Sequence, residues 1–496
     1  DLGLRAWAED LRRLPKGRRR LRLAQAAGAA GAGALVLPAA WEKTSGLVRS
    51  LRFWRHALPI YLDYKLTARA LARAPSSLSA KERRRRWQAL HEKHGPNILR
   101  MTLQLRGFYV KLGQVCSTRS DMFPRPWTDS LAKLQGEHPD LLARPIGAIW
   151  RTVRRDLGRR AELLAEVEEA PLGAAATGQV HRAWLQDGRE VVVKVQYPEA
   201  ARLFRQDFAT SKIFCALLQR EHLGYLRELE RQFATEFDYR REATDLAAIW
   251  ANFAEGSGNP YAGKVRIPEP VTELSSRNIV VMEYLPGVTL LSYALRQKRE
   301  LERSSLPWML WRGWWLRREL RAHLALLVDV QGYQIFVDGV FNGDPHPGNV
   351  LLTDDGRLGL IDFGNVKRLS VAERACLGRL ILALAAGRRS AVVAAARELG
   401  FRTRRDSEDA LFRYAQLWFD RDSRASLYLP GSGAPPNVQV YLERLNALDP
   451  MTRTPEAYLM AARNSFLMRG LGTHFGMEVH IAERWRPFAE AAVRAA

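Results

Sequence analysis

The spacing of hydrophobic positions along the chain changes near residue 171. Before that point, apolar residues recur about every 3.6 positions, as in "ILRMTLQLRGFYVKLGQVCSTR" (98–119), which predicts helices over residues 42–160. One of these helices is expected to begin at the N-cap residue Ser79 and to end at Gly95-Pro96. From 171 to 198, β-branched residues flank an Asp-Gly dipeptide, which predicts a strand, a turn and a strand.

The rest of the chain alternates between the two patterns. Helical spacing continues to about residue 253, "NIVVMEYLPG" (278–287) is typical of a buried strand, and "NVLLTDDGRLGLIDFG" (349–364) predicts a strand, an Asp-Gly turn and a strand. From 370 onwards the pattern is mainly helical. We therefore expect a helical arm, a small strand-rich lobe with a helix, a strand-like hinge and a large helical lobe.

A basic, tryptophan-rich helix is predicted at "LPWMLWRGWWLRRELRAHLALLV" (306–328). Such a helix can lie on a membrane or on a partner protein. We favour the alternative that its aromatic side chains pack inside the protein.

Charge separates the N-terminal arm from the remainder. The 496 residues carry a formal charge of +23, and residues 1–100 hold 22 Lys and Arg against 7 Asp and Glu. A basic arm suits nucleic acid or an anionic membrane surface. No nucleic-acid motif is present, so no nucleic-acid partner is expected, and an anionic membrane or lipid is preferred. Three scattered cysteines form no metal or disulfide pattern and favour a reducing compartment.

Direct membrane contact is indicated by "LAQAAGAAGAGALVLPAAW" (23–41), 19 residues without a charge. This length is near the minimum for a transmembrane helix, although the Ala/Gly content makes it weakly hydrophobic. A packed soluble helix or a flexible Ala/Gly linker remains the alternative. Basic residues lie on both sides, so the charge bias assigns no orientation.

Candidate chemistry begins at the strand "VVVKVQ" (191–196), where Lys194 stands among valines. Phosphoryl transfer needs a lysine that reaches the nucleotide phosphates, an acid that orients it and oxygen ligands for Mg²⁺. Glu242, on the helix "EFDYRREATDL" (236–246), could pair with Lys194; the alternative is a charged helix face.

The segment "PLGAAATGQV" (171–180) precedes the lysine strand. Small residues let the backbone approach a phosphate closely, and exposed N–H groups can cradle it. The segment resembles a kinase Gly-rich loop in which alanines replace glycines, although Ala-rich turns are also common. Its candidate nucleotide-binding positions are Ala174, Ala175, Ala176, Thr177, Gly178 and Gln179.

Further along, "GDPHPGN" (343–349) places Asp344 and Asn349 at the five-residue spacing of a kinase catalytic loop. A "DFG" tripeptide then places Asp362 thirteen residues after Asn349, and the intervening hairpin can bring these oxygens together. We interpret His346, between two prolines, as a loop-stabilising residue in preference to a base or metal ligand.

Together these motifs resemble the UbiB family of atypical protein-kinase-like proteins, also called aarF-domain-containing kinases. The resemblance spans roughly residues 95–370. It rests on "KLGQ" (111–114), "PLGAAATGQVHRA" (171–183), "VVVKVQYP" (191–198), "EFDYRREA" (236–243), "DPHPGN" (344–349) and "DFG" (362–364), and "RNSFLMRGLG" (463–472) resembles the family's helical tail.

The resemblance implies an α+β, bilobal protein-kinase-like fold with a helical N-terminal KxGQ extension and a largely helical C-terminal lobe. The implied domains are a basic arm (1–94), the extension (95–170), an N-lobe (171–285) and a C-lobe with a helical tail (286–496).

It also implies roles for single residues. Lys194, paired with Glu242, would contact the ATP phosphates, Asp344 occupies the catalytic-loop position, and Glu283 joins the nucleotide-binding set. Asn349 and Asp362 would bind Mg²⁺. The family's KxGQ and ExD motifs, which in relatives hold the extension over the protein-substrate site, correspond to Lys111, Gly113, Gln114, Glu236 and Asp238.

The implied function is ATP binding, ATP hydrolysis without conventional protein-kinase activity, and membrane-associated regulation of prenyl-quinone (coenzyme Q) or lipid metabolism. The alternative is a non-catalytic pseudokinase subunit that scaffolds an organellar membrane protein complex. The expected location is the mitochondrial inner membrane, with a plastid membrane as the alternative. The chain departs from the family at Ala176, usually serine, and at Asn342-Gly343, usually His-Ala.

Overall fold

The computed structural model describes residues 46–73, 79–118, 123–134, 143–175, 177–220, 223–234, 237–421 and 438–496. Two compact units divide the chain: the first takes residues 1–118, 124–135 and 201–230, and the second takes the rest. The candidate membrane segment 23–41 lies outside the described residues. Within the described ranges, no helix combines the length and apolar character needed to cross a bilayer.

The secondary structure follows the expected alternation of helical and strand-rich segments. In chain order, the α-helices of the described ranges are α1 (46–72), α2 (Ala80–Leu105), α3 (Phe108–Thr118), α4 (Arg125–Ala132), α5 (Ile146–Leu157), α6 (Ala200–Leu218), α7 (Leu223–Ala234), α8 (Tyr239–Asn252), α9 (Leu290–Glu302), α10 (Leu306–Tyr333), α11 (Val371–Ala385), α12 (Arg389–Glu398), α13 (Glu408–Phe419), α14 (Val438–Leu448), α15 (Glu456–His474) and α16 (Ile481–Arg494).

The strands are short and lie mostly between α5 and α11. In chain order, they are β1 (Leu164–Val167), β2 (Gly173–Ala174), β3 (Gly178–Leu185), β4 (Glu190–Gln196), β5 (Val265–Arg266), β6 (Ile279–Glu283), β7 (Gly287–Thr289), β8 (Val340–Asn342), β9 (Val350–Thr353), β10 (Leu358–Leu360), β11 (Val366–Arg368), β12 (Arg402–Thr403) and β13 (Met451–Arg453).

In the first unit, α2 differs from its prediction. Ser79 caps the helix by accepting a hydrogen bond from the Glu82 amide at 3.1 Å, as expected, but the helix passes through Pro96 and ends at Leu105. A Cβ on Gly95 would lie 2.4 Å from the Pro126 carbonyl oxygen. The glycine therefore serves the close approach of α4 to α2, and the expected helix end at Gly95-Pro96 is wrong.

In the second unit, a five-stranded antiparallel sheet has the order β1-β3-β4-β6, with β2 paired to β3. One face packs on α5, where Ile149, Val153 and Leu157 join the valines of β4 in one buried cluster. A second sheet has the order β5-β10-β9-β7, and β8 pairs with β11. This strand-rich part precedes a largely helical part, in agreement with the predicted α+β class.

The helical part is organised around α10 and α16. Leu316, Leu320 and Leu324 of α10 enter the large core, and the fully buried Trp485 of α16 donates its indole N–H to the Val328 carbonyl at 2.8 Å. The first half of α10 is different, because Trp308 and three further tryptophans are exposed to solvent. Internal packing of these aromatic side chains, the favoured interpretation of the sequence, is therefore wrong.

The domain boundaries predicted at 94, 170 and 285 stay predictions. The described contacts place most of α6, predicted within the N-lobe, in the same unit as α1 to α4. There the buried Asp207 of α6 accepts two hydrogen bonds from the Arg49 guanidinium of α1, at 3.0 and 2.6 Å.

Candidate nucleotide site

Lys194 lies in β4, an interior strand of the five-stranded sheet. Val191, Val193 and Val195 are at most 1% exposed and pack toward α5. Because side chains alternate along a strand, Lys194 points to the opposite face, together with Val192. The run of valines therefore places the Lys194 amine on the face of the sheet opposite α5.

Two carboxylates face this amine. The Lys194 Nζ lies 2.6 Å from Glu242 Oε1 and 3.5 Å from Asp362 Oδ1. Glu242 stands in the first turn of α8, which Asp238 begins by accepting a hydrogen bond from the Arg240 amide. Burial alone lowers the pKa of Lys194, but the carboxylates of Asp362 and Glu242 outweigh it and raise that pKa well above its ordinary value. The lysine is therefore charged and held between the two acids.

The β9–β10 hairpin brings Asn349 and Asp362 together. Val350 pairs with Leu360, so the residues flanking the hairpin become neighbours. The Ile361 amide donates to the Asn349 carbonyl at 3.2 Å, and Asn349 Nδ2 donates to Asp362 Oδ2 at 3.3 Å. The two predicted metal ligands thus meet across the base of one hairpin.

Asn342, for which the sequence predicted no role, joins the catalytic loop (342–349) to the DFG loop (362–364). Its side chain is buried, and its Nδ2 donates to the Asp362 carbonyl at 2.7 Å. Its Oδ1 accepts from the Asp344 amide at 2.9 Å. One amide group therefore fixes the backbone at both acids, and it stands where the resembling family usually has histidine.

Asp344 is held by helix α15. Arg463 Nη2 donates to Asp344 Oδ2 at 2.8 Å, and the neighbouring Asn464 donates to the Asn342 carbonyl at 2.8 Å. Asp344 Oδ1 is buried and has no hydrogen-bond partner. Both residues belong to "RNSFLMRGLG" (463–472), whose sequence does not indicate these contacts.

His346 stabilises the loop in which it stands. Its Nδ1 accepts a hydrogen bond from the Gly348 amide at 3.2 Å, at the start of a short 3₁₀ turn (Pro347–Asn349). Its carbonyl accepts from the Asn349 amide at 2.7 Å. Both contacts are local, in agreement with a loop-stabilising residue.

The Ala-rich segment forms a tight turn between β2 and β3. The Ala175 amide donates to the Gly178 carbonyl at 2.8 Å, and the Tyr197 amide donates to the Thr177 carbonyl at 2.8 Å. Ala174 ends β2, and Ala176 lies outside the described residues. A Cβ on Gly178 would lie 2.5 Å from the Val195 carbonyl oxygen, so glycine is needed for the close approach of β3 to β4.

Two predicted nucleotide-binding side chains have other partners. Gln179 is buried; its Oε1 accepts from the Arg144 amide at 2.7 Å, and its Nε2 lies 2.7 Å from His181 Nε2. The Glu283 carboxylate, at the end of β6, forms an ion pair with Arg266. A nucleotide could therefore contact Gln179 and Glu283 through their backbone atoms. Contact with either side chain would require the hydrogen bonds or the ion pair described above to break.

The KxGQ residues lie on α3 in the first unit. A Cβ on Gly113 would lie 2.6 Å from Leu134 Cδ1, and Gln114 Nε2 donates to the Leu134 carbonyl at 2.9 Å. Both residues thus secure the segment after α4. The Lys111 side chain is half-buried, and Glu236 of the ExD motif lies outside the described residues.

The residues of the second unit fit a nucleotide-bound Mg²⁺. This ion prefers oxygen ligands and is usually held by one or two carboxylates together with substrate phosphates. Asn349 and Asp362 touch, and the buried Asp344 Oδ1 lacks a partner. In the described part of the chain, no cluster of three or more His, Cys, Asp or Glu side chains could hold a metal by itself. The donors therefore suit an ion shared with phosphates.

Known proteins are similar to this chain in sequence. The sequence model of the ABC1 atypical kinase-like domain family matches residues 143–396 of this chain. An uncharacterized Synechocystis protein is 31% identical over 299 residues, 58% of this chain and 69% of that protein. Arabidopsis thaliana ACTIVITY OF BC1 COMPLEX KINASE 7, chloroplastic, is 29% identical over 69% of this chain and 47% of its own length. The AarF domain-containing protein kinase 1 of Xenopus tropicalis is 29% identical over 53% of this chain and 46% of that protein.

The chain spans about half the length of the Arabidopsis and Xenopus relatives. These matches, together with the sheet order and the residues around Lys194, confirm the predicted family resemblance and the kinase-like α+β fold.

Proposed function

Because this chain belongs to the ABC1 atypical kinase-like family, we propose that it binds Mg-ATP beside Lys194 and hydrolyses it slowly, as a membrane-associated regulator of prenyl-quinone or lipid metabolism. One observation supports the nucleotide site above all others. Lys194 Nζ lies 2.6 Å from Glu242 and 3.5 Å from Asp362, so the phosphate-binding amine, its orienting acid and a metal ligand are assembled together.

Each side chain would have a defined task. Lys194, fixed by Glu242, presents a positive charge to the nucleotide phosphates, and Asn349 and Asp362 offer oxygens to Mg²⁺. When bound, the ion neutralises negative charge on the phosphates. Asp344, with one oxygen paired to Arg463 and the other without a partner, can orient an attacking hydroxyl group or water.

Hydrolysis is preferred to conventional protein phosphorylation for two reasons. The KxGQ motif accompanies this choice in the resembling family, and an Ala-rich turn replaces the glycines that make a kinase loop pliable. The Arg463–Asp344 ion pair also holds one oxygen of the catalytic-loop acid, which favours slow turnover.

A second candidate function is a non-catalytic subunit that scaffolds an organellar membrane protein complex. The same Arg463–Asp344 pair favours it, because the chain itself supplies a cation to the acid that would otherwise serve the reaction. In this case the chain would bind Mg-ATP weakly or not at all.

For location we propose an organellar membrane, and we now prefer the plastid alternative to the mitochondrial inner membrane. Two plant relatives are named chloroplastic, and other relatives come from a cyanobacterium. Fluorescent tagging in a plant cell tests this choice; a mitochondrial pattern would contradict it.

The nucleotide proposal is tested by thermal unfolding and phosphate release with the full chain. Mg-ATP should raise the melting temperature of the wild type, and Asp362→Asn should lose the Mg²⁺-dependent part of this stabilisation and the phosphate release. Asp354→Asn is the matched control, because Asp354 is exposed in the turn of the same hairpin. It should retain both properties.

Two outcomes would contradict the proposal. Without nucleotide-dependent stabilisation of the wild type, ATP binding fails and the scaffold function is favoured. If phosphate release is unchanged in Asp362→Asn, the activity does not arise at this site.

A further inference from the structure

The first half of α10 exposes an apolar surface of unusual content. Trp308, Trp311, Trp314 and Trp315 are 51%, 54%, 57% and 43% exposed. Leu306 and Leu310 are also exposed, at 64% each. Isolated surface hydrophobic residues are ordinary, but a contiguous exposed patch marks an interaction site.

These side chains cannot turn inward, because the opposite face of the helix is already used. Leu316, Leu320 and Leu324 of α10 are buried in the large core. At about 100° per residue, the four indoles fall within an arc of about 120° roughly opposite Leu316. We call the exposed residues among 306–318, which lie on this outward arc and its flanks and exclude the buried Leu316, the tryptophan face.

The tryptophan face is a packed surface, since its aromatic rings contact one another. The ring centroids of Trp308 and Trp311 lie 5.1 Å apart, and those of Trp314 and Trp315 lie 5.0 Å apart. The Arg318 guanidinium lies 5.8 Å from the centroids of both Trp314 and Trp315. Aromatic rings and a cation therefore form one continuous amphipathic surface.

Its charge selects the partner. Residues 303–318 contain four arginines and no Asp or Glu. The acidic residues that border this segment are Glu302, which is exposed at the end of α9, and Glu319, which accepts a hydrogen bond from the Tyr293 hydroxyl at 2.9 Å. Tryptophan is enriched at the headgroup level of bilayers, and arginine is attracted to anionic lipid. A convex helix face without acidic groups matches a lipid surface better than a protein groove.

We propose that the tryptophan face lies in the headgroup region of an anionic bilayer and docks the protein there. The indoles enter the interface, and the arginines that flank them contact lipid phosphates. This inference rests on the membrane association in the proposed function and assigns it to a surface. It assigns no role in docking to the basic arm (1–94).

The test uses the full chain and sedimentation with vesicles of phosphatidylcholine, with and without about 30 mol% phosphatidylglycerol. Trp308, Trp311, Trp314 and Trp315 are replaced together by serine. This variant should partition about tenfold less onto the anionic vesicles than the wild type. Arg317→Gln with Arg318→Gln should reduce binding about tenfold, and only to the anionic vesicles.

The competing surface is α1, which carries exposed leucines of its own. Leu51, Leu62 and Leu66 are each exposed, so their joint replacement by serine is the matched control. We expect this control to bind vesicles as the wild type does. If the tryptophan variant keeps its vesicle binding while the α1 variant loses it, docking occurs through α1 and the inference is overturned.

Two further readouts separate the outcomes. Brominated lipid should quench wild-type tryptophan emission and quench the serine variant less. Equal vesicle binding by all variants would overturn the lipid assignment and favour a protein partner for the tryptophan face. Stabilisation by Mg-ATP is measured on the same variants. If Mg-ATP does not stabilise the protein but vesicle binding still depends on the tryptophans, only the proposed nucleotide site is contradicted.

Discussion

Asn342→Asp isolates the contribution of one amide to the geometry of the nucleotide site. Asn342 is 2% exposed, donates to the Asp362 carbonyl at 2.7 Å and accepts from the Asp344 amide at 2.9 Å. The substitution keeps the shape and the acceptor, but it places an oxygen against the Asp362 carbonyl. The connection between the catalytic loop and the DFG loop should therefore open.

The size of the effect follows from burial. An unsatisfied buried carbonyl costs about 1–3 kcal/mol, and the buried negative charge adds to this cost, so we expect a loss of about 2–4 kcal/mol in the free energy of unfolding. A matched control exists at Asn259, which is 8% exposed. Its Nδ2 donates to the Asn252 carbonyl at 3.0 Å, and its Oδ1 accepts from the Tyr261 amide at 2.9 Å. Asn259→Asp should lose a similar amount.

The two variants should differ in nucleotide binding. Urea unfolding measures the stability loss of each, and calorimetry measures the dissociation constant of Mg-ATP. We expect Asn342→Asp to bind Mg-ATP at least about tenfold more weakly, a loss of about 1.4 kcal/mol, and Asn259→Asp to bind within about twofold of the wild type. Unchanged affinity in Asn342→Asp would refute the reasoning, and equal weakening in both variants would show a general effect of destabilisation.

Three further substitutions test the site and its surroundings. Glu242→Gln removes one carboxylate from a buried ion pair, so it should lower the free energy of unfolding by about 1–3 kcal/mol in urea titrations. The control is Asp245→Asn, one turn along the same helix in an exposed ion pair, which should cost about 1 kcal/mol or less. Equal costs would contradict the burial argument. Gly178→Ala should destabilise the folded protein by about 2 kcal/mol or more, because its Cβ would lie 2.5 Å from a backbone oxygen. A Cβ on Gly173 would have no atom within 4 Å, so Gly173→Ala should change stability by about 0.5 kcal/mol or less. Similar melting temperatures of the two variants would refute this prediction. Burial raises the pKa of Asp338 to about 7, so the folded state keeps a proton that the unfolded state releases above about pH 4. Stability should therefore fall as pH rises from about 4 to 7, and Asp338→Asn should flatten this part of the urea-midpoint profile; an unchanged slope would contradict it.

Local patterns predicted much of the site. Valines around Lys194 indicated a buried strand, and the Asp-Gly turn between β9 and β10 indicated the hairpin that joins Asn349 to Asp362. Such signals lie within a few residues of the structure they specify. The approach of Glu242 to Lys194 could be proposed because the order of the motifs was already recognised.

Contacts between distant segments were not predicted. Asn342 reaches Asp362 twenty residues later, and Arg463 reaches Asp344 across 119 residues. No local pattern indicates which polar side chain finds such a partner. Proline disfavours helix interiors, so Pro96 predicts a helix end, but packing against α4 stabilises the longer helix. Composition also could not show which face of α10 enters the core.

The contact between Arg463 and Asp344 has a consequence for biosynthesis. A ribosome adds about 5–20 residues per second, so the 119 residues between them correspond to a delay of roughly 6–24 s. During this interval the strand-rich segments can fold in the nascent chain while the catalytic-loop acid lacks its arginine. The last helices therefore complete the nucleotide site, and translation itself delays its assembly until most of the chain has been made.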